Sequence, residues 1–489
     1  VRVEKRSRLS LQLYELPANH VLGPHMYLVQ AANVHPWSSK EDAVTFLARL
    51  RAFEKQTSQI IEAFQAGIRK QITWPESVVQ EMMSQCESQW VFTAEESPIY
   101  KSAQAQMLSV GGDVQELRRV VRDIVVPSFR SLACFLKDKY LPHARREIGI
   151  HALPNGKELY AGCIEYFAST KRSAQDIHEL GLAEVERIQS RIAGVRNRLP
   201  NPDLSLVDFV DSLYQDPKLF ASGPEELIDK YIEFLNDARK RVHAIFANVP
   251  PAALDVKAIE SYRESTAPSA HYFPAPDDRS ARAVFYVNTS KFEARPLYLI
   301  EAIALHEGIP GHHLQIALAQ EFRNMPRVRR QPHNFCLSYA EGWGLYAEFL
   351  GEVLGYYRVP MNQFGRLMTE VWRACRLVVD TGIHALGWTR EQASDYLRRN
   401  AALPFAEIEA ELDRSIAFPG MWLAYKIGEL KILELRQHAE TTLRDRFSWK
   451  GFHTVVLRSG AVPLQMLEQN VKHWIERERR MAAAEAHRS

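Results

Sequence analysis

The stretch IALHEGIPGHHLQ, residues 303–315, brings three histidines and a glutamate together around a Gly-Ile-Pro-Gly segment. His306 followed directly by Glu307 begins the HExxH pattern, in which a second histidine four residues after the first completes a metal-binding pair on one helical face. The fourth residue after His306 is Pro310, which cannot ligate a metal. The stretch therefore predicts a metal-dependent hydrolytic site whose helix departs from the ordinary spacing.

An unbroken helix turns by about 100° and rises by about 1.5 Å per residue. On such a helix His312 lies on the wrong side relative to His306, whereas His313 returns to the right face but sits roughly 10 Å further along the axis. Pro310 removes a helical hydrogen bond, and the neighbouring glycines tolerate unusual dihedral angles. We therefore predict a broken helix, with His312 as the second ligand because a Gly-His pair closes many zincin motifs. His313 is the alternative.

A third ligand is expected, because catalytic zinc usually keeps three protein ligands and one open position for water or substrate. The segment SYAEGWGLYAE, residues 338–348, offers Glu341 on the next predicted helix and Glu348 two turns further along the same face. The predicted cofactor is one Zn²⁺ held by His306, His312 and Glu341. Glu348 is the alternative third ligand, and otherwise it either supports a ligand from behind or forms a surface ion pair.

Glu307 is the predicted general base, which deprotonates the zinc-bound water and later passes the proton to the leaving group. The oxyanion of the tetrahedral intermediate needs a donor besides zinc. Tyr425 is the first candidate for this donor, followed by His384 and Arg373, which share a predicted helix. For each of them core packing is the alternative. His333 precedes the third ligand closely enough to approach the metal, but packing is its favoured interpretation.

Several blocks of the sequence occur together in a known family. They are FYVNTS at 285–290, RP at 295–296, HEGIPGHHLQ at 306–315, EGWGLYAE at 341–348, DTGIHALGW at 380–388 and the segment 419–428. In this order they resemble the bacterial domain-of-unknown-function 885 family, and weaker matches extend over most of the chain. The resemblance implies a largely helical, gluzincin-like metallopeptidase scaffold with an HExxPGHH motif. Met421 stands where the family pattern has glutamine, which bears on substrate specificity and not on the metal site.

Helical periodicity dominates the chain. Apolar residues recur at three- and four-residue intervals in segments 43–70, 114–140, 173–199, 224–248, 361–386 and 464–485, and Pro127 interrupts the second. The predicted fold class is mainly α, a helical zincin-like or gluzincin-like scaffold with a small β element before the zinc helix. We divide the chain softly into a helical amino-terminal lobe, residues 1–250, and a catalytic lobe, residues 251–489, with one continuous domain as the alternative.

Residues 283–288, AVFYVN, form the clearest strand candidate, because β-branched and aromatic residues are concentrated there. In zincin-type enzymes an edge strand just before the zinc helix hydrogen-bonds an extended peptide substrate. Tyr286 and Asn288 are therefore predicted to bind substrate. The alternative is a small structural hairpin in which Asn288 is a turn residue.

The composition agrees with a soluble enzyme, because 46% of the 489 residues are hydrophobic and can bury a large core. A net charge of +2 argues against a polyanionic partner, so no nucleic-acid partner is predicted. No segment has the roughly 18 apolar residues of a membrane span, so no integral membrane segment is predicted. The use of only five cysteines slightly favours a cytoplasmic over an exported location.

The predicted function is zinc-dependent hydrolysis of peptide or peptide-like amide bonds, with a peptide or peptide-like molecule as substrate. One alternative is a metal amidohydrolase of a small non-peptide amide or ester, because zinc and Glu307 do not distinguish one acyl group from another. The other is a catalytically silent helical binding protein that has kept its metal, against which the presence of Glu307 argues. The sequence predicts neither an oligomeric state nor a preference for endo or exo cleavage.

Overall fold

The structure is a computed structural model that describes residues 2–90, 93–259, 268–277, 281–331, 333 and 336–486. It is mainly helical with a small three-stranded sheet, as the sequence predicts. The chain divides into two compact units. The first unit is Val1–Gly162 with Ile383–Arg390 and Glu409–Pro419, and the second is Cys163–Gly382, Glu391–Ile408 and Gly420–Ser489. The division predicted at residue 250 is a different partition and stays a prediction.

The first unit is built largely from the amino-terminal helices. They are α1 (Arg2–Gln12), α2 (Pro24–Val34), α3 (Lys40–Lys70), α4 (Glu76–Glu87), α5 (Pro98–Ser109), α6 (Val114–Val120), α7 (Val126–Phe135) and the first half of α8 (Gly156–Phe167). A buried cluster of aliphatic and aromatic side chains, among them Phe46, Phe53, Phe64 and Phe129, forms the core between α2 and α7.

The second unit contains the sheet and most of the remaining helices. Its strands are β1 (Leu254–Ala258), β2 (Ala270–Phe273) and β3 (Ala283–Val287). The helices from here on are α9 (Ala174–Arg196), α10 (Leu206–Leu213), α11 (Pro224–Arg241), α12 (Ile300–Glu307), α13 (His312–Glu321), α14 (Leu337–Val353), α15 (Pro360–Ala385), α16 (Arg390–Ala401), α17 (Phe405–Ala417), α18 (Leu423–Leu443), α19 (Trp449–Leu457) and α20 (Leu464–Ala486). The end of α15 and most of α17 belong to the first unit. None of the helices in the described ranges is long and apolar enough to span a membrane.

Caps and end charges explain where the long helices begin and end. Before α3, the side chain of Ser39 accepts a hydrogen bond from the Asp42 amide, and Asp42 accepts one from the Ser39 amide in return. α11 starts at Pro224 and carries acidic residues in its first turn and basic residues in its last, which complements the helix dipole. The helices predicted at 43–70, 173–199, 224–248, 361–386 and 464–485 are confirmed, although α11 already ends at Arg241.

The helix predicted at 114–140 follows one helical path despite Pro127. A π-helical turn, Val121–Val125, separates α6 from α7, so that Pro127 lies in the first turn of α7. Proline lacks an amide hydrogen, and the first turn of a helix is where that donor is least needed. The π turn therefore accommodates Pro127 without ending the helical path.

The sheet has the strand order β1-β3-β2, so that β3 is central. Phe285 of β3 lies opposite Val256 of the parallel strand β1 and opposite Tyr272 of the antiparallel strand β2. The strand prediction at 283–288 is thus confirmed. The expectation that this strand is an edge is wrong, because strands are hydrogen-bonded to both of its sides. β2, which contacts α12, is an outer strand instead.

The sheet is covered by α11 and α12. Tyr231 of α11 and Ala304 of α12 belong to one buried cluster with Phe285 and Val287 of β3. Burial of this apolar surface stabilises the packing of α12 on the sheet. The carboxyl-terminal end of α12, which carries the first predicted ligand, is thereby fixed next to β2.

Two glycines allow α14 and α18 to pack backbone against backbone. A Cβ added at Gly428 would lie 1.9 Å from the carbonyl oxygen of Ser338 and 2.8 Å from the Cα of Gly342. A Cβ added at Gly342 would lie 2.5 Å from the Cα of Gly428. This close approach fixes the position of α14 around Glu341, the residue that precedes Gly342.

We predict that Gly428→Ala lowers the free energy of unfolding by about 1–3 kcal/mol, the usual range for overpacking, because the backbone of α14 must move. Gly194→Ala is the matched control, since Gly194 also lies within a helix but a Cβ there meets nothing within 4 Å. The control should be neutral or stabilising by up to about 1 kcal/mol. Denaturant unfolding measures both changes. Unchanged stability of the Gly428→Ala protein would contradict the helix contact.

Candidate metal centre

The chain folds back sharply between α12 and α13, where the sequence predicts a helix break. A Cβ at Gly311 would lie 1.8 Å from the carbonyl oxygen of His306, so this close return requires glycine. Trp343 holds the break by donating its indole N–H to the carbonyl oxygen of Pro310 at 2.9 Å. As a result the rings of His306 and His312 lie with their centroids 4.8 Å apart and nearly perpendicular.

His306, His312 and Glu341 are buried and offer three ligand atoms within 4.8 Å of one another. The Nε2 atoms of His306 and His312 lie 3.5 and 3.6 Å from Oε2 of Glu341. Metal–ligand bonds of about 2.0–2.1 Å at tetrahedral angles separate ligand atoms by roughly 3.3–3.5 Å. The predicted ligands therefore have a spacing that fits a tetrahedral ion. No other group of His, Cys, Asp and Glu side chains in the described residues meets this spacing.

Glu348 supports His306 from behind. Its Oε1 lies 2.8 Å from Nδ1 of His306, and the hydroxyl of Thr369 donates to Oε2 at 2.6 Å. A proton on Nδ1 leaves Nε2 as the ligand atom, which is the usual role of a carboxylate behind a metal-binding histidine. Gly344 makes room for the imidazole, because a Cβ there would lie 2.6 Å from its Nε2. These contacts favour ligand support over a surface ion pair for Glu348.

The charges around the three ligands suit a cation. Burial lowers the pKa of His306, but its contacts with Glu341 and Glu348 outweigh burial and raise the pKa to about 10. Burial raises the pKa of Glu341, but the three histidines beside it outweigh burial and hold the pKa well below the usual value. Two carboxylates thus flank His306.

Glu307 lies beside the three ligands and is not one of them. Its Oε2 accepts a hydrogen bond from the backbone amide of Tyr272 on β2 at 3.0 Å. In an antiparallel pair alternate residues direct their amides away from the partner strand, and Tyr272 is such a residue in β2. Glu307 is thus held at the outer edge of β2, where its side chain is only half-buried.

His313 is engaged away from the ligand cluster. Its Nδ1 lies 3.4 Å from the hydroxyl of Tyr272, and its Nε2 lies 3.2 Å from the carbonyl oxygen of Ala252. Burial lowers its pKa to about 4. The geometry therefore favours His312 over His313 as the second ligand.

His333 lies closer to the ligands than the packing interpretation suggests. Its Nε2 lies 3.4 Å from Oε1 of Glu341, and its ring centroid lies 4.5 Å from that of His312. Its side chain is 37% exposed, so it borders both the ligand cluster and solvent. The only sequence signal for this placement is its distance of eight residues from Glu341.

Tyr425 and Arg373, two of the predicted oxyanion donors, have partners of their own. The ring of Tyr425 packs under the guanidinium of Arg376, 4.8 Å from the ring centroid. Arg373 donates to the carbonyl oxygen of Thr369 at 3.1 Å. Burial raises the pKa of Glu348, but the charge of Arg373 outweighs it together with the hydrogen bond from His306. Arg373 thus acts on a residue behind the ligands, and the catalytic roles of both residues stay predictions.

His384 belongs to the first unit, whereas the three ligands belong to the second. Its Nδ1 accepts a hydrogen bond from the amide of Ile150 at 3.1 Å, and its Nε2 lies 2.9 Å from the carbonyl oxygen of Ser415. Burial lowers its pKa to about 3. A neutral imidazole with both nitrogens engaged favours the packing alternative over the predicted catalytic role.

Tyr286 and Asn288, the predicted substrate-binding residues, lie on and directly after the central strand. Tyr286 stacks on His271 with the ring centroids 5.1 Å apart. The buried Asn288 accepts hydrogen bonds at Oδ1 from the amide and the hydroxyl of Ser290, at 3.1 and 2.7 Å. Its own amide donates to the carbonyl oxygen of Ser269. These contacts favour the turn alternative for Asn288.

The fold and the site define a mainly helical protein with a buried centre of two histidines and one carboxylate, assembled from a broken helix and the helix that follows it. Residues 2–471 match the family model described as bacterial protein of unknown function (DUF885). The chain belongs to this family, which confirms the resemblance seen in the sequence blocks.

Solved structures share this fold. A candidate lipoprotein from Colwellia psychrerythraea is 30% identical, with a TM-score of 0.86 over 91% of this chain and 78% of that chain. A candidate lipoprotein of unknown function from Shewanella oneidensis is 17% identical, with a TM-score of 0.62 over 96% of this chain and 99% of that chain. The second likeness shows the fold alone. No curated protein matches the chain.

We predict that the purified protein holds one zinc ion per chain and that His306→Ala, His312→Ala and Glu341→Ala each remove most of it, because every ligand contributes to a site of three. His313→Ala is the matched control and should keep zinc, since this neighbouring buried histidine is engaged elsewhere. Elemental analysis after dialysis measures the content. Full zinc occupancy in both His306→Ala and Glu341→Ala would contradict the proposed site. Loss of zinc in His313→Ala but not in His312→Ala would show that His313, and not His312, is the second ligand.

Proposed function

We propose that the protein is a zinc-dependent hydrolase of peptide or peptide-like amide bonds, with a gluzincin-like arrangement of its ligands. The position of Glu307 supports this most strongly. Its carboxylate is not a ligand, is half-buried, and is held next to the buried ligands by the amide of Tyr272. A purely structural metal site has no need of such a group, whereas a general base must lie within reach of both water and substrate.

His306, His312 and Glu341 would hold the metal, because two neutral imidazoles and one carboxylate are a donor set typical of catalytic zinc. When bound, zinc supplies a Lewis acid that polarises a carbonyl group and makes water more acidic. The protein contributes the orientation of the donors. Glu348 and the hydroxyl of Thr369 fix the tautomer of His306 from behind.

In the proposed reaction Glu307 accepts a proton from the attacking water and then passes it to the leaving amine. Its Oε2 is occupied by the amide of Tyr272, and its Oε1 accepts no hydrogen bond from the described residues. One oxygen is thus anchored while the other is available for the proton. Such an anchored carboxylate is preorganised for both proton transfers.

The outer edge of β2 supports a peptide-like substrate. The amide of Asn288 donates to the carbonyl oxygen of Ser269, so the backbone groups of Ser269 face β3. Because this direction alternates along a strand, the backbone groups of Ala270 and Tyr272 point away from β3. The amide of Tyr272 already donates to Glu307, while no described residue hydrogen-bonds the amide of Ala270 or the carbonyl groups of Ala270 and Tyr272, so these groups could bind a substrate. An extended peptide can add to such an edge as a further strand. The substrate strand of the proposal is therefore β2 and not β3.

The low number of cysteines slightly favours a cytoplasmic location, but we do not propose that location. The similar protein from Colwellia psychrerythraea is described as a candidate lipoprotein, and its likeness covers 91% of the chain. Lipoproteins function outside the cytoplasm. We therefore include in the proposal that the hydrolase meets its peptides there.

We expect Glu307→Gln to keep zinc and fold but to lower turnover by roughly a hundred- to ten-thousand-fold, because the amide cannot accept the proton. Elemental analysis, circular dichroism and digestion of a peptide mixture followed by mass spectrometry provide the three measurements. Glu321→Gln is the control, since Glu321 is an exposed glutamate at the end of α13. Near-normal turnover of the zinc-loaded Glu307→Gln protein would reject the mechanism.

We propose His333 as the donor to the oxyanion, because it borders both Glu341 and solvent, and we expect His333→Ala to lower kcat by roughly a hundred-fold with little change in KM, since such a donor acts mainly in the transition state. Tyr425→Phe tests the first sequence candidate, and it should change kcat little if His333 is the donor, while the ring contact with Arg376 is kept. Zinc content, measured in parallel, must stay at the wild-type value for the comparison to hold. A large loss in Tyr425→Phe with none in His333→Ala would restore Tyr425 as the donor.

A further inference from the structure

Arg295 lies next to the beginning of β2, in the segment that follows β3. Its Nη1 donates to the hydroxyl of Ser269 at 2.8 Å, and its Nε donates to the carbonyl oxygen of Ser290 at 3.2 Å. The side chain is half-buried. Even so, none of the described residues forms an ion pair with Arg295 within 4.0 Å, and none accepts a hydrogen bond from its Nη2.

One carboxylate and two phenols act on the guanidinium of Arg295. Burial lowers its pKa, while Glu407, Tyr231 and Tyr214 act in the opposite direction. Glu407 lies beyond ion-pair distance, and the other two groups are neutral phenols at ordinary pH. Partly buried arginines usually pair with a carboxylate, whose two oxygens match the planar guanidinium. Here no carboxylate of the described chain takes that position.

Arg295 lies within reach of a molecule placed against Glu307. It contacts Ser269, whereas the amide of Tyr272, three residues later, contacts Glu307. Three residues of extended chain span at most about 10 Å. Burial raises the pKa of Tyr231, and the charges of Arg295 and Glu307 also act on it, in opposite directions.

We propose that Arg295 binds a carboxylate of the substrate and that the substrates of the proposed hydrolase are peptides with a free carboxyl terminus. This inference rests on the proposed function. A peptide added to the edge of β2 advances about 3.3 Å per residue, so a carboxylate on Arg295 lies within two or three residues of the bond that faces Glu307. Water adds across that amide bond, and a short carboxyl-terminal fragment leaves with the new amine.

The test measures binding separately from cleavage. The zinc-loaded Glu307→Gln protein is titrated in a calorimeter with N-acetylated alanine peptides of three to six residues, each as the free acid and as the carboxyl-terminal amide. A charge-assisted, two-pronged contact predicts that the acids bind roughly ten- to a hundred-fold more tightly. Adding Arg295→Gln should abolish this preference. Adding Arg398→Gln should not, because Arg398 of the same unit pairs with Asp211.

If the zinc-loaded Glu307→Gln protein binds acids and amides with equal affinity, the proposal is overturned, and no variant of Arg295 is needed to show it. It would equally be overturned by an acid preference that survives Arg295→Gln at full zinc content. If Arg295→Gln does not fold, Arg295→Lys replaces it. Lysine keeps the charge but loses the planar fork, so the preference should shrink several-fold.

Two further experiments complete the test. The first distinguishes a carboxyl terminus from a side-chain carboxylate as the bound group, and the second distinguishes failure of the Arg295 subsite from failure of the proposed hydrolase. An amidated peptide that ends in glutamate tests a side-chain carboxylate, and binding as tight as that of the free acid would overturn the claim for the carboxyl terminus. Wild-type protein is then digested with both series. Preferential binding of the acids without cleavage of either series would contradict the proposed hydrolase and support the Arg295 subsite. Cleavage of acids and amides at equal rates would support the hydrolase and overturn the subsite.

Discussion

The close return of the chain at Gly311 is the constraint on which the centre depends. His306 and His312 would diverge on a straight helix, and they meet only because a residue without a side chain lets the backbone fold onto the His306 carbonyl oxygen. Glu341 arrives from α14, whose position depends on a second contact between residues without side chains, Gly342 and Gly428. Backbone contacts therefore determine the spacing of the three polar side chains.

A network of buried charges links α18 with α15 and α9. Lys426 of α18 is fully buried and lies 2.8–3.2 Å from the carboxylates of Glu429, Glu370 and Glu184. Burial lowers the pKa of Lys426, but these carboxylates outweigh burial and raise it. A buried charge that loses its partner costs several kcal/mol, roughly 3–5, so each member restricts the position of the others. Thr369, next to Glu370 on α15, is thereby fixed where it donates to Glu348.

The sequence predicts the local part of this site well and the long-range part poorly. His306, His312 and Glu341 could be found because helix geometry and zinc chemistry restrict which residue types occur at which spacing. The strand order could not, because β1 and β2 are short and pair across many residues. His384 shares α15 with Arg373, yet the chain passes from one unit to the other between them. Helical periodicity contains no signal for such a passage.

The proposed metal centre and the proposed substrate-binding groups lie on different kinds of structure. The three proposed metal ligands and Glu348 are buried on helices, where packing restricts their rotamers. The outer edge of β2 and Arg295 belong to a short strand and to the segment after β3, and such connecting segments vary more readily than a packed core. Tyr272 joins the two parts, because its amide anchors Glu307 while its carbonyl group lies on the outer edge of the strand. In the proposed enzyme a change of substrate is therefore compatible with an unchanged metal centre, provided that the hydrogen bond between Tyr272 and Glu307 is kept.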